Sequence, residues 1–304
     1  MAQTKPRGVF VAALTPMQRD LSPDTARFAR HCRWLLDQGA DGLAVLGTTG
    51  EANSFSVAER LSLLDALGEA GIPGETLLPG TGTCAIPDTV ALTRKALEVG
   101  VAGVVMLPPF YYKNVSDDGL YAAYSEVIQR VGDGRLRIYF YHFPQMSNVP
   151  ISHELIERLL KAYPDTIAGI KDSSGNLDNM LAMCARFPGF GVFAGSEQFL
   201  LPVLRAGGAG CISATANVTI AACGEVYRNW QSPEADRMQV DLTAQRLAIQ
   251  AKPLIPALKR IMARATGDES WLNVRPPVAP LSAAEAQSLF EALDGTGFRL
   301  KLAA

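Results

Sequence analysis

Short apolar runs rich in β-branched residues alternate along this chain with longer amphipathic stretches. Such alternation predicts strands followed by helices. The eight predicted strands cover residues 8–16, 42–47, 76–82, 103–108, 137–141, 167–171, 191–194 and 210–213. The eight helices that follow them are predicted at 24–38, 57–70, 87–99, 118–131, 153–162, 177–186, 199–205 and 220–230.

Uniform alternation of strand and helix predicts an α/β fold with a parallel sheet covered by helices. Eight units of about 29 residues each favour a closed (β/α)8 TIM barrel over an open doubly wound sheet. The first strand is not followed by a glycine-rich dinucleotide motif or a phosphate loop. A nucleotide-binding sheet is therefore the weaker alternative.

The pattern changes beyond residue 231, where helices follow one another without strands between them. Three helices are predicted at 235–250, 254–265 and 283–293, and prolines separate them. We therefore expect two parts, a (β/α)8 barrel over residues 1–231 and a C-terminal helical extension over residues 232–304 that packs on the barrel.

Charge and composition exclude several classes of partner. The chain has 28 basic and 30 acidic residues and a net charge of −2, which predicts no nucleic-acid partner and no anionic membrane surface. No apolar run reaches the roughly 18 residues that a membrane span needs. The first residues lack a secretory signal pattern, so the cytoplasm is the expected location. The three histidines do not have zinc-site spacing, and we expect no metal.

Lys171 ends the sixth predicted strand, directly after the apolar run 167–170. A barrel enzyme has its active site at the C-terminal ends of the strands, so this side chain would reach the barrel mouth. Desolvation there disfavours the ammonium form, and a neutral amine can attack a ketone to give an imine, which accepts an electron pair. The alternative is a lysine that leaves the core and forms an ion pair with Asp172.

Tyr141 ends the neighbouring fifth predicted strand. Adjacent strands lie about 4.8 Å apart, so the phenol of Tyr141 and the amine of Lys171 can share one layer. A phenol in this place can transfer protons during imine formation and carbon–carbon cleavage. The alternative is an aromatic residue at the barrel rim with its hydroxyl in water.

The Gly-Thr-Thr-Gly loop at 47–50 follows the second predicted strand. Thr48 and Thr49 offer hydroxyls and backbone N–H groups that suit a carboxylate. Taken alone, the loop is more typical of a strand-to-helix turn with hydroxyl caps.

Together these strand ends resemble the dihydrodipicolinate synthase / N-acetylneuraminate lyase family of class I aldolases. The resemblance covers roughly residues 8–293. The motifs that carry it are G-T-T-G-E at 47–51, Y-x-x-P at 141–144, G-I-K-D at 169–172 and G-G-x-G-x-I-S at 207–213.

The resemblance implies a role for each matching residue. Lys171 would form the Schiff base, and Tyr141 would transfer protons. Thr48 and Thr49 would bind the carboxylate of the keto acid, and Thr48 would also link the tyrosines. Ile212 would face the substrate with its carbonyl group.

The resemblance also implies a homotetramer built as a dimer of dimers. Tyr111 best matches a tyrosine that enters the site of a neighbouring subunit, and Tyr112 is the alternative because the loop differs in length by one residue.

The sequence departs from the lysine-biosynthetic members at Met146. Those members have an arginine here, which binds the carboxylate of aspartate semialdehyde, and a thioether cannot make that charged contact. Lys113 is a possible replacement cation. We expect specificity for the distal part of the substrate to depend on Met146 together with Ser173, Ser196 and Glu197.

These features predict a catabolic Schiff-base aldolase or dehydratase acting on pyruvate or a 2-keto-3-deoxy acid, without a cofactor because the imine itself accepts the electron pair. The first alternative is 4-hydroxy-tetrahydrodipicolinate synthase. A non-catalytic barrel that binds keto acids and a phosphate-binding isomerase are further alternatives.

Overall fold

The computed structural model describes residues 5–300, and its centre is a parallel sheet. Seven strands hydrogen-bond in the order β2-β1-β7-β6-β5-β4-β3. Their bounds are β1 Gly8–Val11, β2 Gly42–Leu43, β3 Val104–Met106, β4 Ile138–His142, β5 Ile167–Asp172, β6 Gly191–Ala194 and β7 Gly210–Ser213.

The segment 77–81 closes the sheet between its two edge strands. The N–H of Leu78 donates to the carbonyl of Leu43 in β2, and the N–H of Val105 in β3 donates to the carbonyl of Pro79, over 2.8 Å and 2.9 Å. Pro79 has no N–H to donate, so the pairing consists of isolated bridges rather than a regular strand. The strand predicted at 76–82 is thus an irregular eighth member, and the predicted (β/α)8 barrel is confirmed.

Helices surround the barrel and continue into the C-terminal part. Their bounds are α1 Thr25–Asp37, α2 Val57–Glu69, α3 Ile86–Val99, α4 Asp117–Val131, α5 Pro144–Ser147, α6 His153–Ala162, α7 Leu177–Arg186, α8 Leu200–Arg205, α9 Ala216–Arg228, α10 Ala235–Gln250, α11 Leu254–Thr266 and α12 Ala283–Asp294. Helix α5 was not predicted, and α9 begins four residues before the predicted start at Ile220.

Alternating side chains divide the core into layers. Phe10, Tyr139, Phe193 and Ile212 fill the inside of the barrel, whereas the residues between them along the strands face the surrounding helices. A third cluster joins the barrel mouth to the C-terminal helices, with members such as Leu14. The division of the chain at residue 231 stays a prediction. Within residues 5–300, no helix has the length and apolar character that crossing a bilayer requires.

Candidate active site

Lys171 and Tyr141 lie side by side on β5 and β4, where they are register partners. Tyr139 and Tyr141 both point inward, and the register shift between Ile138 and Tyr139 pairs Tyr139 with Gly169. Since side chains alternate along a strand, this shift places Lys171 on the inner face, two residues beyond Gly169.

The amine of Lys171 contacts the ring of Tyr141. Its Nζ lies 4.2 Å from the ring centroid, and the residue is only 5 % exposed. The carboxylate of Asp172 points to the other face of the sheet, where it accepts hydrogen bonds from the N–H of Ser174 and from Nδ2 of Asn179. Within residues 5–300 Lys171 has no salt-bridge partner, so the alternative of an ion pair with Asp172 is wrong.

Gly169 provides the space beneath this pair. A Cβ atom at residue 169 would lie only 2.6 Å from Cδ1 of Tyr139, which fills the barrel interior one layer below Tyr141. The G-I-K-D motif therefore combines a glycine that fits the ring of Tyr139 with a lysine at the next inward position.

The threonine loop approaches the same phenol from β2. Oγ1 of Thr48 lies 3.3 Å from the hydroxyl of Tyr141, and Thr49 is buried beside it. Glu51 ends the loop in a left-handed conformation, with φ of 55°. Its carboxylate accepts hydrogen bonds from Nζ of Lys259, at 2.6 Å, and from the N–H of Arg275, at 3.0 Å. Both contacts come from the C-terminal part of the chain.

These groups open into a cavity of about 960 Å³. Of the residues predicted for the site, seven line it: Thr48, Thr49, Tyr141, Met146, Lys171, Ser173 and Ser196. The sequence interpretation missed the C-terminal part of the wall, which consists of Arg246 and Gln250 of α10, the segments 253–256 and 277–281, and Glu285 of α12. No motif marks these residues, although prolines in both segments indicated where the helices break.

Glu197 requires a correction, because it does not line the cavity. It is fully buried, and hydroxyl groups of Ser213, Thr215 and Thr219 donate to its carboxylate. Nη1 of Arg246 forms an ion pair with it at 3.3 Å. A carboxylate enclosed in this way cannot bind substrate hydroxyls itself; of this ion pair, only Arg246 lines the cavity.

Four other predicted residues also lie away from the cavity wall. Tyr111 and Tyr112 are 73 % and 75 % exposed, with their rings in an edge-to-face contact at 5.3 Å. Ile212 is fully buried on β7, inside the barrel. Nζ of Lys113, the possible replacement cation, donates to the carbonyls of Phe110 and Ser147 and is absent from the lining.

Comparisons of sequence and of structure with known proteins all point to one family. The model of the Dihydrodipicolinate synthetase family matches residues 5–295. An uncharacterized DapA-like lyase of Chloroflexus aurantiacus is 33 % identical over 94 % of this chain and 95 % of that protein. A 4-hydroxy-tetrahydrodipicolinate synthase of Gluconacetobacter diazotrophicus is 30 % identical over 98 % of this chain and 99 % of that protein. The crystal structure of dihydrodipicolinate synthase from Agrobacterium tumefaciens superimposes with a TM-score of 0.88 at 30 % identity, covering 95 % of this chain and 99 % of that one.

Proposed function

Because this chain belongs to the dihydrodipicolinate synthetase family, we propose that it is a class I, Schiff-base-forming lyase that acts on pyruvate or a 2-keto-3-deoxy acid. The observation that carries the proposal is the buried pair of Lys171 and Tyr141, with the threonine loop beside it. An amine held out of water is the nucleophile that imine formation requires.

In the proposed mechanism, the neutral amine of Lys171 attacks the C2 ketone. Tyr141 donates the proton with which the hydroxyl group of the addition product leaves as water, and the protonated imine forms. Thr48 and Thr49 bind the keto-acid carboxylate. In the cleavage direction, Tyr141 takes the proton of the C4 hydroxyl as the C3–C4 bond breaks, and the imine accepts the bonding electrons as an enamine. Tyr141 then returns this proton to C3. Water hydrolyses the protonated imine, which releases pyruvate, restores the neutral amine of Lys171 and returns a proton to Tyr141. No metal or organic cofactor takes part in this scheme.

We further propose that the enzyme works in the cytoplasm as a homotetramer, a dimer of dimers. An exposed aromatic pair is typical of an interface, and Tyr111 and Tyr112 form such a pair near the barrel mouth. Tyr111 would enter the site of a neighbouring copy, where Thr48 would link it to Tyr141; Tyr112 is the alternative. The carbonyl of Ile212 would face the substrate.

A biosynthetic role, the condensation of pyruvate with aspartate semialdehyde, is the second candidate. The relative from Gluconacetobacter diazotrophicus, named for this activity, favours it. Met146 argues against it, because a thioether on the cavity wall does not pair with the carboxylate of aspartate semialdehyde. Strong turnover of aspartate semialdehyde with pyruvate in a coupled assay would favour the biosynthetic role over the catabolic one.

Reductive trapping tests the nucleophile. Pyruvate and borohydride should add a covalent mass to the wild-type chain, and peptide mapping should place it on Lys171. In Lys171→Ala we expect no adduct and a loss of turnover of about 10⁴-fold or more, because the covalent route is gone. Lys113→Ala is a matched control that should keep the adduct. An adduct that persists in Lys171→Ala would remove the assignment.

A further inference from the structure

The distal part of the cavity has a polar group that the proposed mechanism does not use, the side chain of Arg246. Its Nε donates to Oε1 of Gln250 at 2.8 Å, and its Nη1 donates to Thr215 at 2.9 Å and pairs with Glu197 at 3.3 Å. Within residues 5–300, Nη2 has no hydrogen-bond partner. Since Arg246 lines the cavity, Nη2 is the donor left for a ligand.

The position of Arg246 suits the far end of a substrate held by Lys171. Nη1 of Arg246 donates to Oγ of Ser213, which ends β7. Only β6 lies between β5 and β7. The two strands are therefore two strand spacings apart, which is about 10 Å around the sheet. Pyruvate is too short to span this distance, whereas a keto acid of six or more carbons extends toward it.

The charge of this region favours an uncharged substrate group. Glu197 is fully buried and neutralises Arg246, so the pair presents a directed donor without a net positive charge. Glu285 adds a carboxylate at the cavity wall. A carboxylate that enters such a site loses its hydration without gaining an unpaired cation, which is unfavourable.

The other polar groups nearby are amides and hydroxyls. Gln198, Gln250 and Ser196 line the same cavity as Arg246, and Gln250 is in hydrogen-bond contact with Arg246. Amides and hydroxyls both donate and accept hydrogen bonds, as the hydroxyl groups of a substrate do. The chemistry of the wall thus matches a hydroxylated chain.

We propose that Arg246 and Gln250 are specificity-determining residues that bind hydroxyl groups beyond C4 of the substrate, and that the preferred reaction partner of pyruvate is a small hydroxylated aldehyde without a charged end. This inference rests on the proposed function and deepens it. It assigns recognition to the C-terminal helix α10 rather than to Glu197 or Met146.

The first test compares three aldehydes with the wild-type enzyme and pyruvate: glyceraldehyde, propionaldehyde and succinic semialdehyde. Formation of the 2-keto acid product is measured. We expect glyceraldehyde to exceed propionaldehyde at least tenfold in kcat/KM, because a hydrogen bond to a charged donor contributes about that factor, and to exceed succinic semialdehyde as well.

The second test uses the double variant R246M/E197Q, which removes the pair without leaving a buried charge. We expect KM for glyceraldehyde to rise ten- to hundredfold, while kcat/KM for propionaldehyde changes less than threefold. The matched control R237M/D241N removes an exposed pair on the same helix and should keep the preference for glyceraldehyde. Gln250→Leu leaves the Arg246–Glu197 pair in place and should lower the preference three- to tenfold.

The pyruvate adduct with borohydride, measured on every variant, reports folding and the proposed function separately. If the wild type forms the adduct but prefers succinic semialdehyde, or consumes none of the three aldehydes, the inference is wrong. It is also wrong if R246M/E197Q forms the adduct and keeps the preference. If R246M/E197Q does not fold, an unchanged preference in Gln250→Leu overturns it. A wild type without any adduct contradicts the proposed function instead.

Discussion

The inner and outer halves of the cavity are built in different ways. The inner half consists of Lys171, Tyr141 and the threonine loop, which backbone hydrogen bonds place on neighbouring strands. The outer half consists of Arg246, Gln250 and proline-containing segments, whose positions depend on how the C-terminal helices pack. Substitutions in helix α10 would alter the outer half without disturbing the strand register that places the inner half. The two halves can therefore vary independently.

After the loss of Lys171 itself, removal of the Tyr141 hydroxyl should have the largest effect. In Tyr141→Phe we expect turnover to fall about 10²- to 10⁴-fold, because a group that transfers protons typically contributes this factor. Steady-state kinetics with a cleaved 2-keto-3-deoxy acid measures it.

A matched control makes the change in Tyr141 specific. Tyr139 lies on the same strand, and its buried hydroxyl has no hydrogen-bond partner within residues 5–300. Tyr139→Phe should therefore keep both turnover and stability. Equal losses in the two variants would point to barrel packing rather than proton transfer.

The Glu51–Lys259 ion pair connects the threonine loop of the inner half to helix α11 of the C-terminal part. Both side chains are buried, and burial lowers the pKa of Lys259 even though Glu51 opposes the shift. Lys259→Met should lower the free energy of unfolding by about 3–5 kcal/mol, because it leaves the carboxylate of Glu51 without its charged partner. Urea unfolding gives this value.

Two further variants separate charge from packing at this contact. The double variant E51Q/K259M leaves no charge and should lose clearly less stability than Lys259→Met. Lys95→Met removes ion pairs with Asp65 and Glu98 at the surface and should destabilise the protein far less than Lys259→Met. If E51Q/K259M were as unstable as Lys259→Met, packing would be the cause.

The smallest expected effect is a pH dependence of stability at His31, where α1 contacts Trp271 of the C-terminal segment. His31 donates from Nε2 to Oδ1 of Asn217 at 2.9 Å and packs edge-on against Trp271 at 4.9 Å. Burial lowers the pKa of His31 from 6.5 to about 4. The unfolded chain therefore binds the extra proton first, and stability is lost as the pH falls from about 6.5 to 4, by about 3 kcal/mol in total.

Unfolding measured between pH 7 and 4 checks this sign. His31→Gln keeps a donor for Asn217 but cannot titrate, so its stability should decline less steeply. His142, whose pKa burial also lowers, contributes in the same direction and remains in both proteins. Parallel curves for His31→Gln and the wild type would contradict the role of His31.

The sequence by itself determined the βα alternation and the pairing of Lys171 with Tyr141, whereas several strands end earlier than predicted, the first at Val11 instead of residue 16. Periodicity and strand order are local properties, and neighbouring strands bring their last residues together in any parallel barrel. The G-I-K-D and G-T-T-G-E motifs carried the same information, because Gly169 and Gly50 lie in close contact with the backbone and with neighbouring side chains.

Only the tertiary structure decided how the distal half is formed. Glu197 follows β6 and was expected to contact the substrate. Its carboxylate instead forms an ion pair with Arg246, which lies 49 residues later in the chain. Likewise Lys259 lies 208 residues from Glu51. Ion pairs between distant segments depend on helix packing, which no local pattern encodes. The sequence therefore predicted that Lys171 and Tyr141 lie together, but not which residues form the rest of the cavity wall.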